Sequence, residues 1–100
     1  MVALVADLMD RSRISAALPD VECTNDAQDA RGADVVIVDL GRLNTEIATL
    51  RGLIGPARLI AYGAHVDEEA LERARADGAD LALPRSRFFR DPAAVVQGDY

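Results

Sequence analysis

Apolar residues along the chain fall into two rhythms that alternate from end to end. Short runs of Val, Leu, Ile and Ala lie at residues 2–6, 35–40, 58–62 and 81–83, and a polar-apolar alternation spans 21–24. Largely apolar runs of this length predict strands buried on both faces, and the alternating run predicts a half-buried edge strand. Between them the spacing changes to that of helices. Asp10 is a candidate cap for a helix over 11–18, with Ile14, Ala17 and Leu18 on one face and Pro19 beyond its end. Residues 26–31 allow at most a short helix, closed by Gly32. Asn44 or Thr45 is placed to cap a helix reaching Leu53, which buries Ile47, Leu50 and Ile54 before Gly55-Pro56 breaks it.

The segment after Asp67 carries the most complete helix signals. Asp67, Glu68 and Glu69 stand in the first turn, Arg73 and Arg75 in later turns, and Gly78 at the end. That order matches the helix dipole and the glycine preference at helix ends. Val66, Ala70, Leu71 and Ala74 give the apolar stripe, and Glu69 precedes Arg73 by the spacing that favours an ion pair. A last short helix is expected over 88–96, with Asp91-Pro92 either breaking it or starting its final turns. Strands alternating with helices imply one α/β domain over residues 1–100: a single doubly wound, five-stranded parallel sheet with helices on both faces.

Composition narrows the function. The hundred residues carry a net charge of −6, which disfavours nucleic acid and anionic membranes as partners. No apolar run has the length of a membrane span, and the first ten residues lack the basic start of a signal peptide, so a cytoplasmic location is the default expectation. Cys23 is the only cysteine, which rules out an internal disulfide and reads as a strand residue. His65 reads as a helix-entry residue. All eleven basic residues are arginine, so no lysine is present for chemistry that needs one.

Motifs exclude several α/β classes. The turn after the first strand, Asp7-Leu8-Met9-Asp10-Arg11, contains no glycine, which removes the dinucleotide fingerprint and the phosphate-cradling loop. No Gly-x-Ser-x-Gly elbow exists, and Asp7 and Asp10 are not at the Asp-x-Asp spacing of aspartate-based phosphatases. A small catalyst built on Asp7, Asp39 and His65 has no spacing to support it. Asp39 closes the most apolar strand, where ligands bind in open α/β sheets. A carboxylate there can hold Mg²⁺, accept a phosphoryl group or cap the following turn.

The order of features resembles the response-regulator receiver domain, the CheY-like version of the flavodoxin-type fold. Asp39 after Val36-Ile37-Val38 matches the phospho-accepting aspartate, and Asp7 matches the first of the paired acids after strand one. The stretch from Arg58 through Gly63, Gly78-Ala79-Asp80 and Arg85-Ser86 resembles the receiver pattern of strand four, helix four, strand five and Lys-Pro. The resemblance implies strand order 2-1-3-4-5. Departures from it cluster on the pocket. Leu8 stands where the second acid belongs, Gly63 replaces a Thr or Ser, Ala82 replaces the aromatic switch, and Arg85 replaces the lysine.

Each departure has a physical consequence. Phosphoryl transfer depends on positioning and on stabilising negative charge, with Mg²⁺ held by several oxygens. Leu8 removes one ligand and leaves Asp7 and Asp39 as candidates for weak Mg²⁺ binding only. No other cofactor is implied. Arg85 keeps a positive charge, and its planar fork suits two-point contact with a carboxylate, so pairing with Asp39 is expected. The implied function is a stand-alone pseudo-receiver, a signalling or protein-interaction module that is not phosphorylated in the usual way and has no catalytic residues. The alternative is an atypical receiver accepting a phosphoryl group on Asp39 in a phosphorelay. The expected contact face joins helix 67–77, strand 81–83 and helix 88–96. It carries Glu68, Glu69, Glu72, Arg85, Arg87, Phe88, Phe89 and Arg90, for a protein partner or a homodimer. One of the two phenylalanines is expected in the core and the other partly exposed. The same arginines also fit a plain solvated rim.

Overall fold

The computed structural model describes residues 1–43 and 45–98; Asn44, one of the two expected helix caps, and Tyr100 lie outside them. Five strands, β1 (Val2–Leu4), β2 (Glu22–Thr24), β3 (Val35–Asp39), β4 (Arg58–Gly63) and β5 (Leu81–Pro84), form one sheet. All pairings are parallel and the order is β2-β1-β3-β4-β5, a flavodoxin-like arrangement. The helices are α1 (Leu8–Ala17), α2 (Ile47–Ile54), α3 (Glu68–Ala76), α4 (Arg85–Arg90) and α5 (Pro92–Gln97), with a 3-10 turn at Ala27–Ala30. No helix among the described residues is long and apolar enough to cross a membrane.

Strand alternation sorts the core into two layers. Leu4, Val36, Val38, Leu59, Ala61 and Ala82 face α2, α3 and the 3-10 turn, meeting Ile47, Leu50, Ile54, Leu71 and Ala74. Ala3, Val5, Ile37, Ile60, Tyr62 and Leu83 face α1, α4 and α5, meeting Ile14, Leu18, Phe88 and Val95. Asp39 and Tyr62 are register partners on this second face, at the carboxyl end of the sheet. Asp39 is only 6% exposed.

Three boundaries differ from those read in the sequence. Helix α1 starts at Leu8 because Asp7, not Asp10, is its cap, accepting a hydrogen bond from the Asp10 backbone N–H at 2.9 Å. Helix α2 has Glu46 rather than Thr45 as its N-cap, with no side-chain cap bond. The last helical stretch begins at Arg85 rather than Phe88, and Asp91-Pro92 both breaks it and starts its final turns: Asp91 caps a new helix through the Ala94 N–H and Pro92 takes the first helical position. Arg58 then holds the far end of α5, donating to the carbonyls of Val95 and Val96 at 3.2 and 3.0 Å.

Candidate functional site

The early start of α1 fixes the chemistry at the carboxyl end of the sheet. With Asp7 as cap, Asp10 becomes the third helical residue and stands four before Ile14, which stands four before Leu18. All three therefore lie on the buried stripe, and Asp10 is 3% exposed. A carboxylate in that position needs partners or it costs several kcal/mol.

Two residues distant in the chain satisfy it. Arg85, the first residue of α4, donates from Nη1 to Asp10 Oδ2 at 2.8 Å and from Nη2 to Oδ1 at 2.7 Å. Tyr62 Oη donates to Asp10 Oδ2 at 3.0 Å. The Arg85 hydrogen bonds hold the Asp10 carboxyl below its ordinary value against the opposing effect of burial, with a further contribution from Tyr62. Burial, then the charges of Asp39 and Asp10, push the Tyr62 hydroxyl upward. The bond to Asp10 likewise keeps the Arg85 guanidinium charged. The expected pairing of Arg85 with Asp39 is thus not formed. Asp10 takes the guanidinium because its helix turns it inward, whereas Asp39 is already engaged at its own turn.

That engagement is local. Asp39 Oδ1 accepts the Gly41 N–H at 3.0 Å, so the acid caps the turn that follows its strand. A Cβ on residue 41 would stand 3.3 Å from that oxygen, which is why glycine fits here. Asp7 is spent in part on its helix cap, and its other oxygen lies 4.0 Å from Arg42. Among the described residues no group of three or more acidic, His or Cys side chains is placed to hold a metal ion, so the weak Mg²⁺ candidates Asp7 and Asp39 gain no third ligand of those types.

The remaining pocket positions are equally informative. Leu8 is 77% exposed, beside the similarly exposed Met9. A Cβ at Gly63 would point toward Leu40 and Leu71, on the sheet face away from Asp39. Ala82 is buried in that same layer and its carbonyl accepts from Arg75 Nη2 at 2.6 Å. The aromatic residue at this end is Tyr62, and it is fixed: its ring stacks on Phe88 at 4.9 Å and meets Phe89 edge-on at 5.0 Å. Phe88 is fully buried, so it leaves the set of contact candidates, and Phe89 is the partly exposed member of the pair.

The expected contact face divides into two separate surfaces. Glu68 and Glu72 border a shallow cleft with His65, Leu71, Arg75 and Pro84, while Glu69 reaches Arg73 at 3.4 Å. Arg85, Ser86, Phe89 and Arg90 border another notch, together with Arg13 from α1. Arg87 is exposed and lines neither. Sequence reasoning preferred Asp10 as a helix cap over an inward position, and did not assign Tyr62 or Arg13 to this end of the molecule. Asp10 carried a signal, since a charge on an otherwise apolar i, i+4, i+8 stripe is a buried charge in search of a partner.

A crevice of about 240 Å³ also opens at the strand-order switch between β1 and β3, lined by Leu4, Ala6, Asn25, Ala27, Arg42, Leu43 and Thr45. Asp39 is not among its walls. Compared with protein-family models, with curated proteins and with solved structures, the chain finds no match.

Proposed function

We propose that the chain is a receiver-like protein-interaction module that is not switched by phosphorylation of Asp39. The observation that carries this reading is the two-pronged seat of Asp10 on Arg85. A phosphoryl group on Asp39 would need a positive charge free to meet it. The arginine in the place of the receiver lysine already neutralises a carboxylate that is 3% exposed. Pulling it away would strand that charge at a cost of about 3 kcal/mol. The fixed ring of Tyr62, stacked and hydrogen-bonded, offers no second rotamer to report such a change. The arrangement supports binding by a constant surface rather than by a switched one.

Incubation with Mg²⁺ and acetyl phosphate, followed by intact mass measurement, tests this directly. No phosphoryl adduct is expected on the wild type or on Asp39→Asn. An adduct that forms on the wild type and is lost in Asp39→Asn would overturn the reading and favour the phosphorelay alternative.

A further inference from the structure

The notch between α1 and α4 holds more positive charge than its surroundings neutralise. Arg13, Arg85 and Arg90 line it with Ser86 and Phe89, and its volume is about 600 Å³, room for several side chains. Arg85 is matched by Asp10. Arg13 and Arg90 make no ion pair or side-chain hydrogen bond among the described residues, and the Arg13 guanidinium carbon instead stands over the Phe89 ring, 4.2 Å from its centre. In a chain of net charge −6 this is a local reversal of sign.

We infer that this notch docks an acidic segment of a partner protein, with Asp or Glu carboxylates meeting Arg13 and Arg90 and their carbon stems resting on Phe89. The inference rests on the reading of the chain as a binding module and supplies that module's contact surface. Arginine and aromatic side chains are the residue types that dominate the buried centres of protein interfaces. Arg13 is ordered by its ring contact before any partner arrives, which lowers the entropy lost on binding. Asp10, buried behind Arg85, shows how a carboxylate seats against a guanidinium here, at 2.7 and 2.8 Å. Acids do stand close by: Asp10 also feels the charge of Arg13, Asp39 that of Arg85, and Asp91 follows Arg90 in the chain. Asp10, however, is taken by Arg85, and Asp91 caps α5 through the Ala94 N–H. The acids of α3 are too far away to cancel the attraction. Glu68, Glu69 and Glu72 sit on α3, across the sheet from α1 and α4 in a molecule 25 to 31 Å across, whereas physiological salt screens charge beyond about 8 Å.

A second copy is the weaker occupant. Joining α3 of one copy to the notch of another is a head-to-tail contact, which closes only for particular rotations and otherwise propagates. A free anion could use the arginines but not Phe89, so an acidic peptide should outcompete it.

Fluorescence anisotropy with a fluorescein-labelled hexaglutamate peptide provides the test, on the wild type, the double variant Arg13→Gln/Arg90→Gln and Arg87→Gln. Both notch residues and Arg87 are exposed, and circular dichroism melting checks that each variant folds. The expected result is saturable binding, weakened about tenfold or more in the double variant and less than about twofold in Arg87→Gln. Unlabelled hexaglutamate should compete, and inorganic phosphate at equal charge concentration should not. Absence of saturable binding, equal losses in both variants, or equal displacement by phosphate would overturn the inference. So would self-association by sedimentation that the double variant abolishes, because the occupant would then be another copy. Phosphoryl transfer to Asp39 in the separate mass assay would overturn the functional reading without altering the peptide result.

Discussion

Two arginines hold the two ends of the sheet, and they are used differently. Arg51 sits at the amino end, where β4 and β5 begin. Its Nε and Nη2 donate to the Gly78 carbonyl at 3.0 and 2.8 Å, and its Nη1 to the carbonyls of Gly55 and Ala57 at 2.8 and 2.6 Å. Nη2 also reaches Asp80 Oδ2 at 2.8 Å, and that oxygen in turn accepts the Leu59 N–H. Every branch of this guanidinium is committed to backbone or to an acid that itself binds backbone. At the carboxyl end Arg85 holds one carboxylate, and its neighbours Arg13 and Arg90 hold none among the described residues. Saturated arginine is a structural tie, whereas the arginines around Phe89 keep donors that the proposed acidic partner would take. The difference separates the part of this molecule that keeps the fold from the part proposed above to meet a partner.

Removing the tie should have the largest effect. Arg51→Ala strips partners from three loop carbonyls and from Asp80, and we expect about 3 kcal/mol of destabilisation in urea unfolding, with hexaglutamate binding unchanged in the folded fraction. A smaller loss that left the unfolding midpoint near wild type would mean that water replaces the guanidinium at those carbonyls.

The Asp10–Arg85 pair comes next. Asp10→Asn keeps an acceptor for Tyr62 but removes the charge that Arg85 meets, and should cost about 2 kcal/mol near neutral pH. Its pH dependence sharpens the point. Because the Asp10 carboxyl is held below its unfolded value, its stabilisation is complete above about pH 4 and is lost as pH falls further toward the folded value. The stability difference between wild type and Asp10→Asn should therefore shrink on acidification below pH 4 and stay flat above it. Asp80 is lowered as well, chiefly by the Leu59 N–H and then by Arg51, but that contribution is common to both proteins and cancels.

Gly78 probes the amino end from the other side. Its φ of +124° disfavours any side chain, and an added Cβ would stand 3.1 Å from Arg51 Cβ and Cγ. Gly78→Ala should cost roughly 1–2 kcal/mol, with part of that loss absent when Arg51 is already Ala. The smallest stability effect belongs to the notch: Arg13→Gln and Arg90→Gln should each stay within about 0.5 kcal/mol of wild type while changing peptide binding. A variant there that unfolded the protein would place those arginines with Arg51.

The fold was legible because its signals are local. Apolar runs at 35–38 and 58–62 name central strands by themselves, and the capping acids and late arginines of α3 mark that helix without reference to the rest. The site was legible only in outline. Asp39, Asp7 and Arg85 do gather at the carboxyl end, yet the pairing was misassigned, because it joins residues 75 apart and, for Tyr62, 52 apart in sequence. Which carboxylate Arg85 meets depends on whether α1 starts at residue 8 or 11. Those three residues rotate Asp10 from solvent to core, and nothing short of the packed helix decides it. The division of the last helical stretch was left open for a related reason, since Asp91-Pro92 fits equally a break and a new start.

The central claim is that Arg85 belongs to Asp10 and is not available to Asp39. An NMR titration with Mg²⁺ and then beryllofluoride, a phosphoryl mimic, tests it most directly on wild type and Asp39→Asn, following backbone amides and arginine side-chain N–H groups. The account predicts that the Arg85 side-chain signals stay in place and that the amides of Asp7, Asp39 and Gly63 do not move together. A concerted shift of those amides with Arg85, lost in Asp39→Asn, would contradict it.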